Sequence, residues 1–583
     1  MAEGKTSKES LLLSDLVLHS SSTNMALAAL PYHEPDIVTI LIQSSFLLVL
    51  NGINWILDNA IYCGLVGQIL IGVAWGTPGA NWLSEEVQDT IMQLGYLGLI
   101  LIVYEGGLST SFASLWSNIY LSGLVALIGI TLPIGLSYVL IGLLGATPVQ
   151  AFAAGAALCS TSLGTTFTIL NTSGLDKSRL GVILSSAAML DDVAGLVMVQ
   201  VISNLGQSAD SFNAITVIRP VLVSIAFAVV VPAVCWAVVK PITKPTLAQT
   251  AKKEKEQSRL RTWICTPVAA FIAHTLVLLG LVTGSTYAGT SNLFAAYIAG
   301  AVINWWDALV NTTLREQLSA SVTEKKTRKG KKTTQPQREG AVVSSPTSSD
   351  NSAPDAREPA IDRPVSATHD KLRGAVIYEH MYAPAMNTVL KPFFFASIGF
   401  SIPITQMFRG TIVWRGIVYT ILMILGKLAC GLVLVRFTST PTKVQLPEGQ
   451  QTTNTTPSTD ASTNQTNPQQ PPTANSKRKR QTPRKLPKPQ SLYPSLMLGS
   501  AMVARGEIGF LISSLAESNG VFGTTQGGES SDIFLVTTWA ILLCTIIGPV
   551  SIGTMVNRVR RLQKARVNDT AKPDPLGGWG VEG

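Results

Sequence analysis

Thirteen apolar stretches dominate this sequence, over residues 36–57, 61–76, 90–108, 119–143, 148–170, 179–203, 215–240, 263–284, 291–307, 384–402, 411–437, 492–516 and 532–556. A helix crosses the hydrocarbon core of a bilayer with about 20 mostly apolar residues. Inside that core the backbone must satisfy its own hydrogen bonds, so each stretch is read as a helix. The expected fold class is an all-α polytopic membrane protein with about 13 transmembrane helices. Composition excludes a water-soluble fold. Hydrophobic residues make up 46% of the 583 and charged residues only 14%, against roughly 25% charged in soluble domains.

The net charge of +9 is segregated rather than spread. One basic cluster comes after the seventh stretch: Lys240, Lys244, Lys252, Lys253, Lys255, Arg259 and Arg261. Lys325, Lys326, Arg328, Lys329, Lys331 and Lys332 come after the ninth. Lys477, Arg478, Lys479, Arg480, Arg484 and Lys485 come after the eleventh, and Arg558, Arg560, Arg561, Lys564 and Arg566 after the thirteenth. Clusters placed between spans are cytoplasmic anchors and not a nucleic-acid surface. Alternation puts all four on one side, so the N-terminus is expected outside or in a lumen and the C-terminus in the cytoplasm.

The same pattern divides the chain. Residues 1–35 form an extracytoplasmic or luminal tail, and 36–307 hold spans one to nine. Residues 308–383 form a disordered cytoplasmic loop, and 384–437 hold spans ten and eleven. Residues 438–490 form a disordered basic loop, 491–556 the last two spans, and 557–583 a cytoplasmic tail. Both loops are rich in Thr, Ser, Pro, Gln, Asn and Lys, which bury too little apolar surface to fold alone. The six cysteines, Cys63, Cys159, Cys235, Cys265, Cys430 and Cys544, all sit in apolar stretches without a CxxC pair. They are read as small buried residues, with no metal site.

Ionisable residues at membrane depth are costly and mark functional sites. Asp191 and Asp192 lie mid-stretch in Gly181-VILSSAAML-Asp191-Asp192-VAGLVMVQ. Adjacent carboxylates there cannot both stay ionised cheaply. A group that holds either a proton or a small cation, but not both, is what exchange requires. The plain alternative is a polar pair bonding neighbouring helices, a task one Asn would do without the charge. Lys427, in Leu422-MILG-Lys427-LACG, needs a carboxylate partner at that depth, and either aspartate is available. Arg505 and Glu507 flank Gly506 in the twelfth stretch and are expected to form an ion pair at a helix break. The run Cys159-STSLGTTFTIL predicts a second break, in the fifth stretch. There Ser160, Thr161, Ser162, Thr165 and Thr166 would satisfy freed backbone groups. Paired breaks at membrane depth point to a midplane binding site, whereas ordinary small-residue packing is the alternative. Glu105 and Lys391 are read as end-of-span residues and secondary candidates, Glu105 as a funnel residue or a pH-sensing charge.

With these residues the chain resembles the monovalent cation–proton antiporters of the sodium/hydrogen exchanger superfamily, in the branch of NapA-type and Kef-type systems. The resemblance rests on the Asp191–Asp192 pair, the Ser/Thr run one helix earlier, Lys427 and Ala504-Arg-Gly-Glu-Ile-Gly509. It implies an inverted-repeat fold with two interrupted crossing helices, Asp192 as the ion-binding aspartate, Lys427 as its charge partner, and Thr161 as a further ligand. It also implies a core that slides against a dimerisation domain, hence a homodimer, with Na+, K+ or Li+ and protons as cargo and no cofactor. The chain departs from Kef-type systems in Asp191, where those carry Gln, and in having no GxGxxG motif. The long polar loops point to a fungal member, in a plasma membrane or an endosomal or vacuolar one. A cation channel and a transport-dead sensor on the same fold remain the alternatives. An intramembrane aspartyl protease does not, because adjacent aspartates diverge by about 100° around a helix.

Overall fold

The computed structural model describes residues 34–61, 63–110, 116–162, 174–175, 178–207, 214–243, 245, 266–330, 372–435, 491–523, 529–567 and 575–580. Within these, helices are the regular secondary structure. The chain divides into residues 1–48 and 49–583. In the first unit, residues 37–48 open helix α1 (Ile37–Ile61).

The second unit holds α2 (Gly64–Trp75), α3 (Glu85–Leu108), α4 (Ile119–Leu144), α5 (Pro148–Ala157), α6 (Arg179–Gln207), α7 (Ala214–Val234) and α8 (Pro267–Ala288). Then come α9 (Asn292–Gly330), α10 (Lys391–Phe400), α11 (Gly410–Leu428), α12 (Tyr493–Val503), α13 (Glu507–Ser518) and α14 (Asp532–Val567). Among the described residues ten helical spans are long and apolar enough to cross a membrane. Each predicted stretch contains helix among the described residues, the fifth only over Pro148–Ala157.

Two boundaries differ from expectation. The sequence predicts an end at 307 for the ninth span, whereas its helix runs on to Gly330. The extension is rich in Glu, Lys, Arg, Gln and Ala, strong helix formers that prolong a helix already nucleated in the apolar stretch. The expected loop 308–383 also gives way early, since a helical turn begins at Gly374. From there to α10 the chain alternates α turns with wide π turns at Tyr378–Tyr382 and Met386–Leu390. Pro384 and Pro392 lie in or just after these turns and remove the N–H groups that a regular ladder would use.

The helices pack in two groups. In the first, α3 packs on α9 and α10, and α10 on α2. Small residues make this possible: a Cβ on Gly95 would lie 2.7 Å from Phe394 Cα, and one on Gly98 2.7 Å from the Leu390 carbonyl oxygen. Backbones meet closely because no side chain intervenes, the usual means of helix association in lipid. In the second group α6 packs on α4, α12 and α13, while α11 packs on α4, α12 and α14. The groups touch chiefly where α6 meets α9 and α10 meets α13. We call them the scaffold and the core. Helices α7 and α8 leave most of their apolar surface uncovered. Cys63, Cys159, Cys235, Cys430 and Cys544 are buried free thiols, as read from the sequence; Cys265 lies outside the described residues.

Candidate functional site

The core is built around the end of α5 and a break between α12 and α13, which meet. Helix α5 opens with a capping box: Thr147 Oγ1 accepts from Gln150 N (3.3 Å) and Gln150 Oε1 from Thr147 N (2.8 Å), with Pro148 in the first turn. It stops at Ala157, and Ser160 to Ser162 leave the helical path. Thr165 and Thr166 lie outside the described residues. The break is Ala504–Gly506, between α12 and α13. The two satisfy each other. Ser162 N donates to Ala504 O at 3.0 Å, and Thr161 Oγ1 lies 3.3 Å from Met502 O. A Cβ on Gly506 would stand 2.6 Å from the Ser162 side chain, so the crossing needs glycine there for space. Buried backbone groups must be paired, which makes the end of α5 and the break conditional on each other.

Helix α6 passes beside this crossing. A Cβ on Gly195 would fall 2.7 Å from Ser160 Cβ, so a glycine one turn beyond the aspartates sets how near they come. Their environments differ. Asp191 is fully buried, and its Oδ2 accepts from Lys427 Nζ at 2.7 Å and from Thr161 Oγ1 at 2.5 Å. Its Oδ1 is buried with no hydrogen-bond partner. Asp192 is half-buried and accepts from Ser160 Oγ at 3.1 Å. Helix geometry separates adjacent residues by about 100°, which turns one carboxylate to α11 and leaves the other half-open beside Ser160.

Lys427 is fully buried on α11 and also donates to Thr161 Oγ1 (3.0 Å) and to Cys159 O (2.5 Å). The Thr161 hydroxyl has one proton, and the short contact assigns it to Asp191. Its oxygen is then occupied by Lys427, so Thr161 is a bridge within the ion pair in this arrangement.

Arg505 is buried with 0% exposure, and its Nη1 donates to Ser160 O (2.5 Å) and Cys159 O (3.5 Å). The expected Arg505–Glu507 ion pair is absent among the described residues. The extended Gly506, φ −155° and ψ −145°, sends the two side chains apart. Arg505 instead brings positive charge to the carbonyls ending α5, and half-buried Glu507 begins α13, placements that suit the two helix dipoles. Arg505 Nε and Nη2 have no hydrogen-bond partner.

The secondary candidates are elsewhere. Glu105 is exposed near the end of α3, where Tyr378 Oη donates to its Oε2 at 3.2 Å. Lys391 is exposed at the start of α10. Both belong to the scaffold, away from the crossing. Sequence reading also missed partners that carry no side-chain signature, namely the carbonyls of Cys159, Met502 and Ala504. Only the predicted breaks hinted that such groups would be free.

Residues 60–325 match the family model described as sodium/hydrogen exchanger, transmembrane. The high-affinity Na+/H+ antiporter NhaS3 of a Synechocystis strain is 30% identical over 148 residues, 25% of this chain and 32% of that protein. The Na+/H+-K+ antiporter GerN of Bacillus cereus is 29% identical over 134 residues, 23% of this chain and 34% of that one. The chain thus spans about a third of the length of these relatives. A solved structure of the sodium proton antiporter MjNhaP1 from Methanocaldococcus jannaschii is similar with a TM-score of 0.47 at 11% identity, covering 90% of this chain and 99% of that one. Asp191, Asp192 and Thr161 fall inside the matched residues 60–325, whereas Lys427 and Arg505 fall beyond them. Residues 60–325, less than half of the chain, are thus similar to the sodium/hydrogen exchanger transmembrane family.

Proposed function

We propose that this protein exchanges a monovalent cation, Na+ or K+, for protons across its membrane, with Asp192 as the group that binds them in turn. One observation carries the reading: a fully buried Lys427–Asp191 ion pair beside a half-buried Asp192, all where the end of α5 meets the break between α12 and α13. An ion pair costs desolvation wherever it is buried. Retaining one there, next to a second carboxylate with an open side, fits a site whose charge must change during a cycle.

In this mechanism Asp192 loses its proton on one side and takes up a cation through its carboxylate oxygens. Asp191 is held by Lys427 and Thr161, so a cation reaches it only by displacing the ammonium. Neutralisation by either ligand lets the core cross a low-dielectric barrier at tolerable cost. The core then moves against the scaffold and opens to the other side. The relatives' names, Na+/H+ antiporter and Na+/H+-K+ antiporter, agree with this cargo. The uncovered apolar faces of α7 and α8 suit lipid contact, and a homodimer formed on the scaffold side belongs to the same reading.

The test is cation-induced proton movement in proteoliposomes, with Na+, K+ and Li+ added separately at several pH values. Collapse of a pH gradient by one cation supports exchange and names that ion. Cation flux indifferent to the gradient would instead establish a channel on this fold, and no flux of either kind a transport-dead sensor.

A further inference from the structure

The segment Pro575–Gly580 belongs to no motif and no span, yet it is built into the core. Leu576 is 0% exposed and Trp579 6%. Both join one apolar cluster with Leu175, Leu180, Leu184 and Leu498. Every other contributor to that cluster comes from the core: α4, α6 and the turn before it, the 3-10 turn Ala429–Leu434 after α11, α12 and α14. Two polar contacts fix the segment further. Ser491 Oγ donates to Pro575 O at 2.5 Å and accepts from Tyr493 N at 3.3 Å, at the start of α12. The Arg179 guanidinium lies over the Trp579 ring, 5.4 Å from its centroid.

Arg179 is the first residue of α6. A cation there faces the positive end of the helix dipole and is electrostatically misplaced. The negative face of the indole offsets that misplacement, and a cation–π contact is strongest with Trp. The segment therefore grips the starts of two helices at once. One, α6, carries Asp191 and Asp192; the other, α12, carries Met502 and ends at the crossing. Core interiors are close-packed and transmit displacement rather than absorb it. The spacing of α6 and α12 at this end thus bears on the contact between Thr161, Asp191 and Met502.

We propose that Pro575–Gly580 is a positioning clip, and Trp579 its main positioning residue: docked, it holds α6 and α12 at the spacing that assembles the ion-binding aspartates. The role in ion binding rests on the function proposed above.

The experiment compares the purified full chain with Trp579→Ala and Trp579→Phe. Amide hydrogen exchange is followed in peptides covering 178–190, 491–503 and, as a scaffold reference, 85–108. Cation affinity is read from the concentration dependence of thermal stabilisation by Na+, K+ and Li+. Trp579→Ala is expected to raise exchange in the first two peptides and not in the third, and to weaken cation affinity about threefold to tenfold, the range for one lost cation–π contact with its packing. Trp579→Phe keeps a ring and is expected to restore most of both. Unchanged exchange in Trp579→Ala overturns the clip. Raised exchange with unchanged affinity overturns its positioning role. A wild-type chain stabilised by none of the three cations refutes the proposed function and the clip's role in it, while the exchange data still report whether the segment docks.

Discussion

The core and the scaffold are made from similar apolar helices, yet they place their charged groups differently. The scaffold brings α3, α9 and α10 together through glycines and keeps Glu105 and Lys391 exposed at helix ends, with Asp307 half-buried on α9 where it accepts from Gly374 N. The core buries Asp191, Lys427 and Arg505 completely and leaves buried atoms unpaired at Asp191 Oδ1, Arg505 Nε and Arg505 Nη2. Burying such groups opposes stability. The region that carries this cost in charged groups is where exchange of charge is to be sought.

That contrast can be broken by mutation. The largest effect is expected from Asp192→Asn, which should reduce cation-dependent proton movement in proteoliposomes to the level of empty vesicles. Because Asp192 is half-buried and bonded to Ser160 through one oxygen, its thermal unfolding should hardly change. Near-normal exchange in this variant would sink the assignment.

Lys427→Met should act on stability as well. It strands a buried carboxylate, which costs about 3–5 kcal/mol, read as a lowered unfolding midpoint in detergent. Adding Asp191→Asn to Lys427→Met should recover most of that loss, since the pair is then neutral. If the double variant is no more stable than the single one, the ion pair is not what the core is built around.

Glycines sharpen the contrast at smaller scale. Gly195→Val in the core forces α6 away from Ser160, whereas Gly98→Ala in the scaffold meets the Leu390 carbonyl. Both should destabilise by roughly 1–3 kcal/mol. Only Gly195→Val should also lower exchange per folded molecule, measured against protein quantified in the same vesicles. The smallest effect belongs to Glu105→Gln. An exposed end residue should change stability by no more than about 0.5 kcal/mol and leave exchange at the wild-type rate. A marked loss would bring the scaffold end into the ion route.

The candidate site was partly legible in residue order. Asp191, Asp192, Lys427 and the Ser/Thr run stand out because each is anomalous in an apolar stretch, and the structure does bring them together. Arg505 and Glu507 were legible as anomalies but not as partners. Proximity in sequence suggested an ion pair, and the break at Gly506 parts them, so that Arg505 bonds Ser160 O instead. Docking of Trp579 on Arg179 gave no signal in residue order, because a lone aromatic after a basic tail looks like any other polar-segment residue.

By itself the sequence determined the number and place of the apolar stretches, because a bilayer imposes length and hydropathy on every span independently of its neighbours. It also marked the charges buried within apolar stretches and the break at Ala504–Gly506. Which carboxylate Lys427 takes, which stays half-open, and how the end of α5 and that break complete each other's hydrogen bonds were decided by tertiary structure alone. Those outcomes depend on where α5, α6, α11 and α12 meet, and contacts between residues hundreds of positions apart leave no local trace in the chain that makes them.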